Sequence, residues 1–202
     1  VTREQLLADI QRREQEYRLD FERALRRQEE TYGQLLSLIE AAGTLDLPER
    51  SRRLSLLARR QRDDLGRVGT VRDQFEQVLA ELRVNRLATP HAESRLDAGI
   101  VQPLDRLSRL LLPAAADRLE QTPPQMPADA LQAARRAQTD ALALMRTVLA
   151  NMLKWEGFQE AVTLLRDIDN LQKQINQETE KRLLDEIVGP KDETPKPIGT
   201  HE

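Results

Sequence analysis

Apolar and small residues in the first ninety positions recur at alternating steps of three and four. They fall at Leu7, Ile10, Tyr17, Phe21, Ala24, Leu35, Leu38 and Ala42, and again at Leu54, Leu57, Val68, Val71, Phe75, Val78 and Leu82. That spacing is the seam of a coiled coil, not the alternation of a strand. Thr2 with Gln5 three positions on forms a capping box that opens the first arm. Gly43 stops that arm, and Asp46, Pro48 and Glu49 start the second with an N-cap, an early proline and an acid. The pattern predicts an antiparallel hairpin with arms over 2–42 and 48–87. At 1.5 Å per residue, an arm of roughly 40 residues is about 60 Å long, which suits a projecting arm better than one compact core.

Pairing the arms about the turn brings the seam positions Gln28 and Thr31 to the height of Gln61 and Asp64. A polar layer inside a coiled coil weakens it while fixing register and partner number. Gly66 and Gly69 follow directly, each costing up to about 1 kcal/mol against alanine in a helix interior. The plainer reading is a register-fixing layer with glycine making room for Phe21. The sharper one is a hinge or a partner-docking site.

Beyond the hairpin, Thr89 and Pro90 predict the start of a third helix over about 91–121, with Leu96, Ile100, Leu104, Leu107, Leu111 and Leu119 on its apolar face. Pro103 and Pro113 lack amide protons and crowd the carbonyls of Gly99 and Arg109. Kinks are expected there, because the apolar period carries through both. The run 110–116 is apolar all round and is expected to be the most enclosed part of the chain. Residues 122–127, with three prolines, are a loop. A fourth helix over about 127–155 uses Leu131, Ala134, Ala141, Met145, Val148 and Met152. A fifth over about 158–188 uses Val162, Leu165, Ile168, Ile175, Leu183 and Ile187. The helical phase is never lost between Met152 and Val162, so one bent helix of about 60 residues competes with a break at Gly157. The break is preferred, as it gives three helices of about 45 Å that bundle well. Residues 189–202 are expected to be a disordered tail.

Composition narrows the function classes. Six of 202 residues are aromatic and 32% are charged, a mix that fits long helix packing. No uncharged stretch spans a bilayer. The chain opens on Val1 without an apolar leader, and the expectation is a processed protein or, in preference, a domain cut from a larger one. With no cysteine, disulfides and thiolate metal sites are excluded, while the compartment stays open. Net charge is −3 with the signs interspersed, so neither half resembles a nucleic-acid-binding face.

Sites for chemistry are scarce. His91 and His201, the only histidines, lack the Glu-x-x-His spacing of bundle di-iron centres and read as surface imidazoles. The acid pairs Asp63/Asp64 and Asp167/Asp169 lie among basic residues on helical surfaces, where nothing pushes their pKa values apart. No phosphate-binding glycine loop and no nucleophile elbow is present. These readings imply no enzyme, no cofactor and no metal. Arg50, Arg52, Arg53, Arg59, Arg60 and Arg62 are the densest basic stretch, flanked by Glu49, Asp63 and Asp64 and without interleaved aromatics. A salt-bridged hairpin face is the reading, with phosphate or an anionic membrane the rival. Trp155 and Phe158, beside Met145 and Met152, are the one aromatic and methionine concentration. They read as bundle core, with a partner-binding groove as the alternative.

Three stretches together carry a resemblance: Arg12-Arg13-Glu14-Gln15-Glu16; Arg95-Leu96 with Ile100-Val101-Gln102-Pro103-Leu104; and Met152-Leu153-Lys154-Trp155 running into Leu164-Leu165-Arg166-Asp167-Ile168. The pattern resembles the helical C-terminal region of large, uncharacterised envelope-associated proteins of the planctomycete type. The resemblance implies a segment of a larger, membrane-tethered protein outside the cytoplasm, envelope-associated or periplasmic, and brings no activity with it.

The fold class read from these patterns is all-α: a long antiparallel coiled-coil hairpin over 1–88 and a helical bundle of the last two or three helices over 89–188, which packs on the hairpin or stands apart from it. The expected role is a non-catalytic scaffold or protein-interaction module working through helix–helix contacts, self-association included, with no nucleic acid and no membrane contact by this segment. Its rival is an extracytoplasmic helical-bundle sensor that binds a small ligand. A polar-lined pocket near Gln28, Thr31, Gln61 and Asp64 would favour the rival, and a tightly packed seam would count against it.

Overall fold

The structure, a computed structural model, describes residues 2–188, with the side chains at 158, 160, 163, 166 and 185–188 outside the description. The tail over 189–202 and His201 therefore lie outside the described residues, as does the side chain of Phe158. The fold is all-α, without a strand among the described residues. Helix α1 spans Arg3–Ala41, α2 spans Leu47–Val84, α3 spans Pro90–Leu96, α4 spans Gln102–Arg106, α5 spans Leu112–Gln121 and α6 spans Ala128–Val188.

Three helix starts are set by side-chain caps. Thr2 Oγ1 accepts from the Gln5 amide at 3.2 Å while Gln5 Oε1 accepts from the Thr2 amide at 2.9 Å, a complete capping box. Asp46 accepts from the Glu49 amide at 2.8 Å, and Thr89 accepts from the Ala92 amide at 3.2 Å. After α2, Arg86 takes a positive φ of 51°, and the Leu87 amide returns to the Leu82 carbonyl at 2.9 Å. This closes the helix in Schellman fashion with arginine where glycine is commoner.

Segments α3, α4 and α5 form one continuous helical rod, interrupted by two wider π turns, Asp97–Val101 and Leu107–Leu111. Each π turn ends just ahead of a proline, Pro103 or Pro113. In the wide turn the Gln102 amide reaches back to the Asp97 carbonyl, and the Leu112 amide to the Leu107 carbonyl. The extra residue per turn lets the chain pass each proline without losing its helical path. The Gly99 carbonyl loses its α-helical donor to Pro103 and accepts instead from Asn151 Nδ2 of α6, at 2.9 Å.

The chain divides into two compact units, residues 1–157 and 158–202. Within the first, four rods pack up-down-up-down. Arg13 of α1 pairs with Glu81 of α2, and Arg62 and Arg72 of α2 reach Glu120 and Ser108 on the rod. From α6, Asn151 meets Gly99, and Arg146 and Trp155 return to Glu29 and Glu14 of α1. One apolar cluster joins all four: Leu35 and Leu38 with Leu54, Leu57 and Ala58, then Leu119, Leu131 and Ala134. Residues on both sides of position 88 thus share a core, the arrangement of a four-helix bundle, and the hairpin is one half of it.

Two expectations are corrected. Helix α6 runs from Ala128 to Val188 through Gly157, so there is no break there. One glycine costs about 1 kcal/mol, too little to stop a helix whose apolar phase never lapses. The run 110–116 is not uniformly enclosed: Leu112, Ala115 and Ala116 are buried, but Leu110 is 58% exposed. The rod packs against α2 on one side and α6 on another, and Leu110 falls on the face left to water.

Candidate functional site

The polar seam positions lie deep in the bundle. Gln28, Thr31, Gln61 and Asp64 are all buried. Gln28 Nε2 donates to Gln61 Oε1 at 3.0 Å and Gln61 Nε2 donates to Gln28 Oε1 at 2.7 Å. This closed amide pair satisfies two buried side chains with each other and holds α1 and α2 in one register. Gln138 of α6, fully buried, lies at the same height, beside the Thr139 that hydrogen-bonds Tyr32 of α1. Its amide atoms have no hydrogen-bond partner among the described residues, nor has Asp64 Oδ2.

Asp64 is the one strongly perturbed acid of this layer. Burial pushes its carboxyl up from 3.8 to about 6, against the pull of Arg27 and Arg67; Asp63 and Glu30 add to the rise. The nearest cation, Arg27 Nε, is 4.0 Å away, too far for a hydrogen bond. The layer thus combines a paired amide with two buried polar side chains, Asp64 and Gln138, that carry unsatisfied atoms.

Gly66 and Gly69 do not make room for Phe21. A Cβ built at either position meets nothing within 4 Å. Gly66 is exposed and Gly69 half-buried, both on the outer side of α2. Phe21 is instead enclosed by the seam itself, where Phe75 is also fully buried.

Trp155 is core. It is 6% exposed, and its indole N–H donates to Glu14 Oε1 at 3.1 Å, pairing two buried groups across α6 and α1. Met145 and Met152 are buried on the same face of α6. Beside Trp155, a shallow groove of about 380 Å³ runs between α3 and α6, lined among others by His91, Arg95, Asn151 and Lys154.

The basic stretch on α2 is largely tied down. Arg50 caps the Leu45 carbonyl at 2.9 Å, Arg52 and Arg53 share Glu49 at 2.9 and 2.7 Å, and Arg62 pairs with Glu120. The two arginines hold the Glu49 carboxyl down at about 2. The solvated-face reading of Asp63/Asp64 is corrected at Asp64, which the seam of α2 turns inward while Asp63 stays exposed; Asp169 is taken up by Lys173 at 2.7 Å. Among the described residues no cluster of His, Asp and Glu could hold a metal ion, and no helix is long and apolar enough to cross a membrane.

The second unit shows the reverse of the bundle's burial pattern. Along α6, Leu164, Leu165, Ile168, Leu171, Ile175, Leu183 and Leu184 are 50–65% exposed. Of these, Leu164, Ile168, Leu171 and Ile175, at steps of four, three and four, share one side of the helix and leave an apolar face in water.

No known protein family, curated protein or solved structure matches the chain.

Sequence reasoning missed Glu14, Ser108, Gln138 and Asn151. The signal existed for two: Glu14 stands between Ile10 and Tyr17 on the seam, and Gln138 between Ala134 and Ala141. Ser108, buried, accepts from Arg72 at 3.0 Å, and Asn151 donates to the Gly99 carbonyl that Pro103 leaves without an α-helical donor. Neither contact has a local pattern to announce it.

Proposed function

We propose that the chain is a non-catalytic helical module whose work is to hold another helix. The observation that carries this reading is the exposed apolar stripe of α6 formed by Leu164, Ile168, Leu171 and Ile175. A helix face of this kind is the standard contact of helix-in-groove and coiled-coil recognition. The scarcity of chemistry supports it: Asp64, the acid whose carboxyl is pushed up, is buried in the interior of the bundle. That burial counts against the small-ligand sensor, which calls for a polar-lined opening there. The resemblance to planctomycete-type proteins would set the module within a larger envelope-associated assembly.

A photocrosslinking amino acid at position 171, introduced in cells, tests the reading. Discrete protein adducts are expected. Adducts confined to the chain's own bundle overturn it, because the stripe would then be an internal surface.

A further inference from the structure

The exposed stripe has the internal order of a particular kind of pairing. From Leu164 the steps run four, three and four, to Ile168, Leu171 and Ile175. In heptad terms Ile168 and Ile175 take the a positions and Leu164 and Leu171 the d positions. Among parallel coiled coils, β-branched residues at a with leucine at d favour two strands over three or four. Resting on the interaction reading above, we infer that the stripe is covered by a second copy of this chain, in a parallel, in-register pair with Ile168 and Ile175 each meeting its own counterpart.

The flanking residues agree. A parallel pair sets each g residue against the e residue five positions on in its partner. Asp167 then faces Gln172, and Gln174 faces Thr179, so no like charges oppose one another beside the apolar layers. Asp169 and Lys173 lie on the outer face and satisfy each other within the helix at 2.7 Å. Leu165, 65% exposed at an e position, widens the contact. The next d and a positions are Glu178 and Arg182. They end the seam, and they penalise a one-heptad slip, which would set Leu171 against Glu178 and Ile175 against Arg182. A lipid surface is disfavoured as the cover, because residues 158–188 carry seven acids against four bases and anionic headgroups repel that balance.

Two heptads make a weak, concentration-dependent dimer. Because each copy brings net negative charge to the contact, added salt strengthens it. The chain has no cysteine, so Ile168→Cys introduces the sole thiol and Leu110→Cys, on an exposed leucine of the bundle, is its control. Sedimentation velocity over rising concentration is expected to show a monomer–dimer equilibrium, with Ile168→Gln/Ile175→Gln at least tenfold weaker and unchanged in melting temperature. Mild oxidation is expected to link Ile168→Cys chains and leave Leu110→Cys chains single. A chain monomeric at several hundred micromolar overturns the inference, and so does a dimer that Ile168→Cys cannot link, since antiparallel strands set position 168 against 171. A monomer whose position 171 still forms adducts with a different protein removes the second copy and keeps the interaction module. A monomer without such adducts removes both.

Discussion

The side-chain amides of Gln28 and Gln61 close a ring across α1 and α2, one hydrogen bond at 3.0 Å and its return at 2.7 Å. Either glutamine alone at that depth is a liability, because a buried amide without a partner keeps its full desolvation penalty. Gln28→Leu or Gln61→Leu is therefore expected to destabilise the bundle by about 1–3 kcal/mol. The double replacement is expected to recover most of that loss, as an apolar layer needs no partner. Chemical denaturation of the four members of the cycle measures the coupling.

Asp64 gives the bundle a pH dependence of definite sign. Its folded carboxyl stands at about 6 against 3.8 in the open chain, so the native state holds the proton more tightly. This group costs nothing below pH 4, and its penalty grows as pH rises through 4 to 6 and then stays constant. The full penalty is about 3 kcal/mol, from 1.36 kcal/mol per pKa unit. Asp64→Asn is expected to stabilise the protein at pH 7.5 and to leave it nearly unchanged at pH 4. Urea melts at the two pH values check both halves.

Pro103 and Asn151 are expected to be thermodynamically coupled. Asn151→Ala removes the donor to the Gly99 carbonyl and should cost about 1–2 kcal/mol. In a Pro103→Ala background the alanine amide can serve that carbonyl, and the same Asn151 substitution should cost less. Additive losses would mean that Asn151 acts only by packing.

Gly66 and Gly69 have open space where a methyl would go. Gly66→Ala and Gly69→Ala should each stabilise α2 by up to about 1 kcal/mol, raising the melting temperature by a few degrees. If the two glycines are a hinge used in binding, the stabilised variants would lose capture at position 171 while melting higher.

The local parts of this fold were legible in the sequence. Thr2, Asp46 and Thr89 announce their caps because capping is a contact between residues three apart. The seam of α1 and α2 follows from spacing, and the Gln28–Gln61 height from the turn. What was hidden is which faces meet. Periodicity marks Leu119 and Ala134 as apolar but does not say that they share a core with Leu38 and Leu57. The same limit concealed the Glu14–Trp155 pair, whose members stand 141 positions apart. Gly157 misled because the helix-breaking preference of one residue was given more weight than an apolar phase that never lapses between Met152 and Val162. Leu165, Ile168, Ile175 and Leu183 of α6 were read as bundle residues; periodicity marks them as apolar but cannot show that they stand 50–65% exposed.

The Gly99–Asn151 contact also sets an order of events during synthesis. The two residues are separated by 52 positions, so at ordinary translation speeds the donor leaves the ribosome on the order of several seconds after its acceptor. Until then the rod carries two prolines and a wide turn with no neighbour to complete it on that side. Helix α6 thus supplies, from a side chain, the hydrogen bond that the Gly99 carbonyl cannot find in its own rod, and the nascent chain keeps its third rod provisional until the fourth arrives.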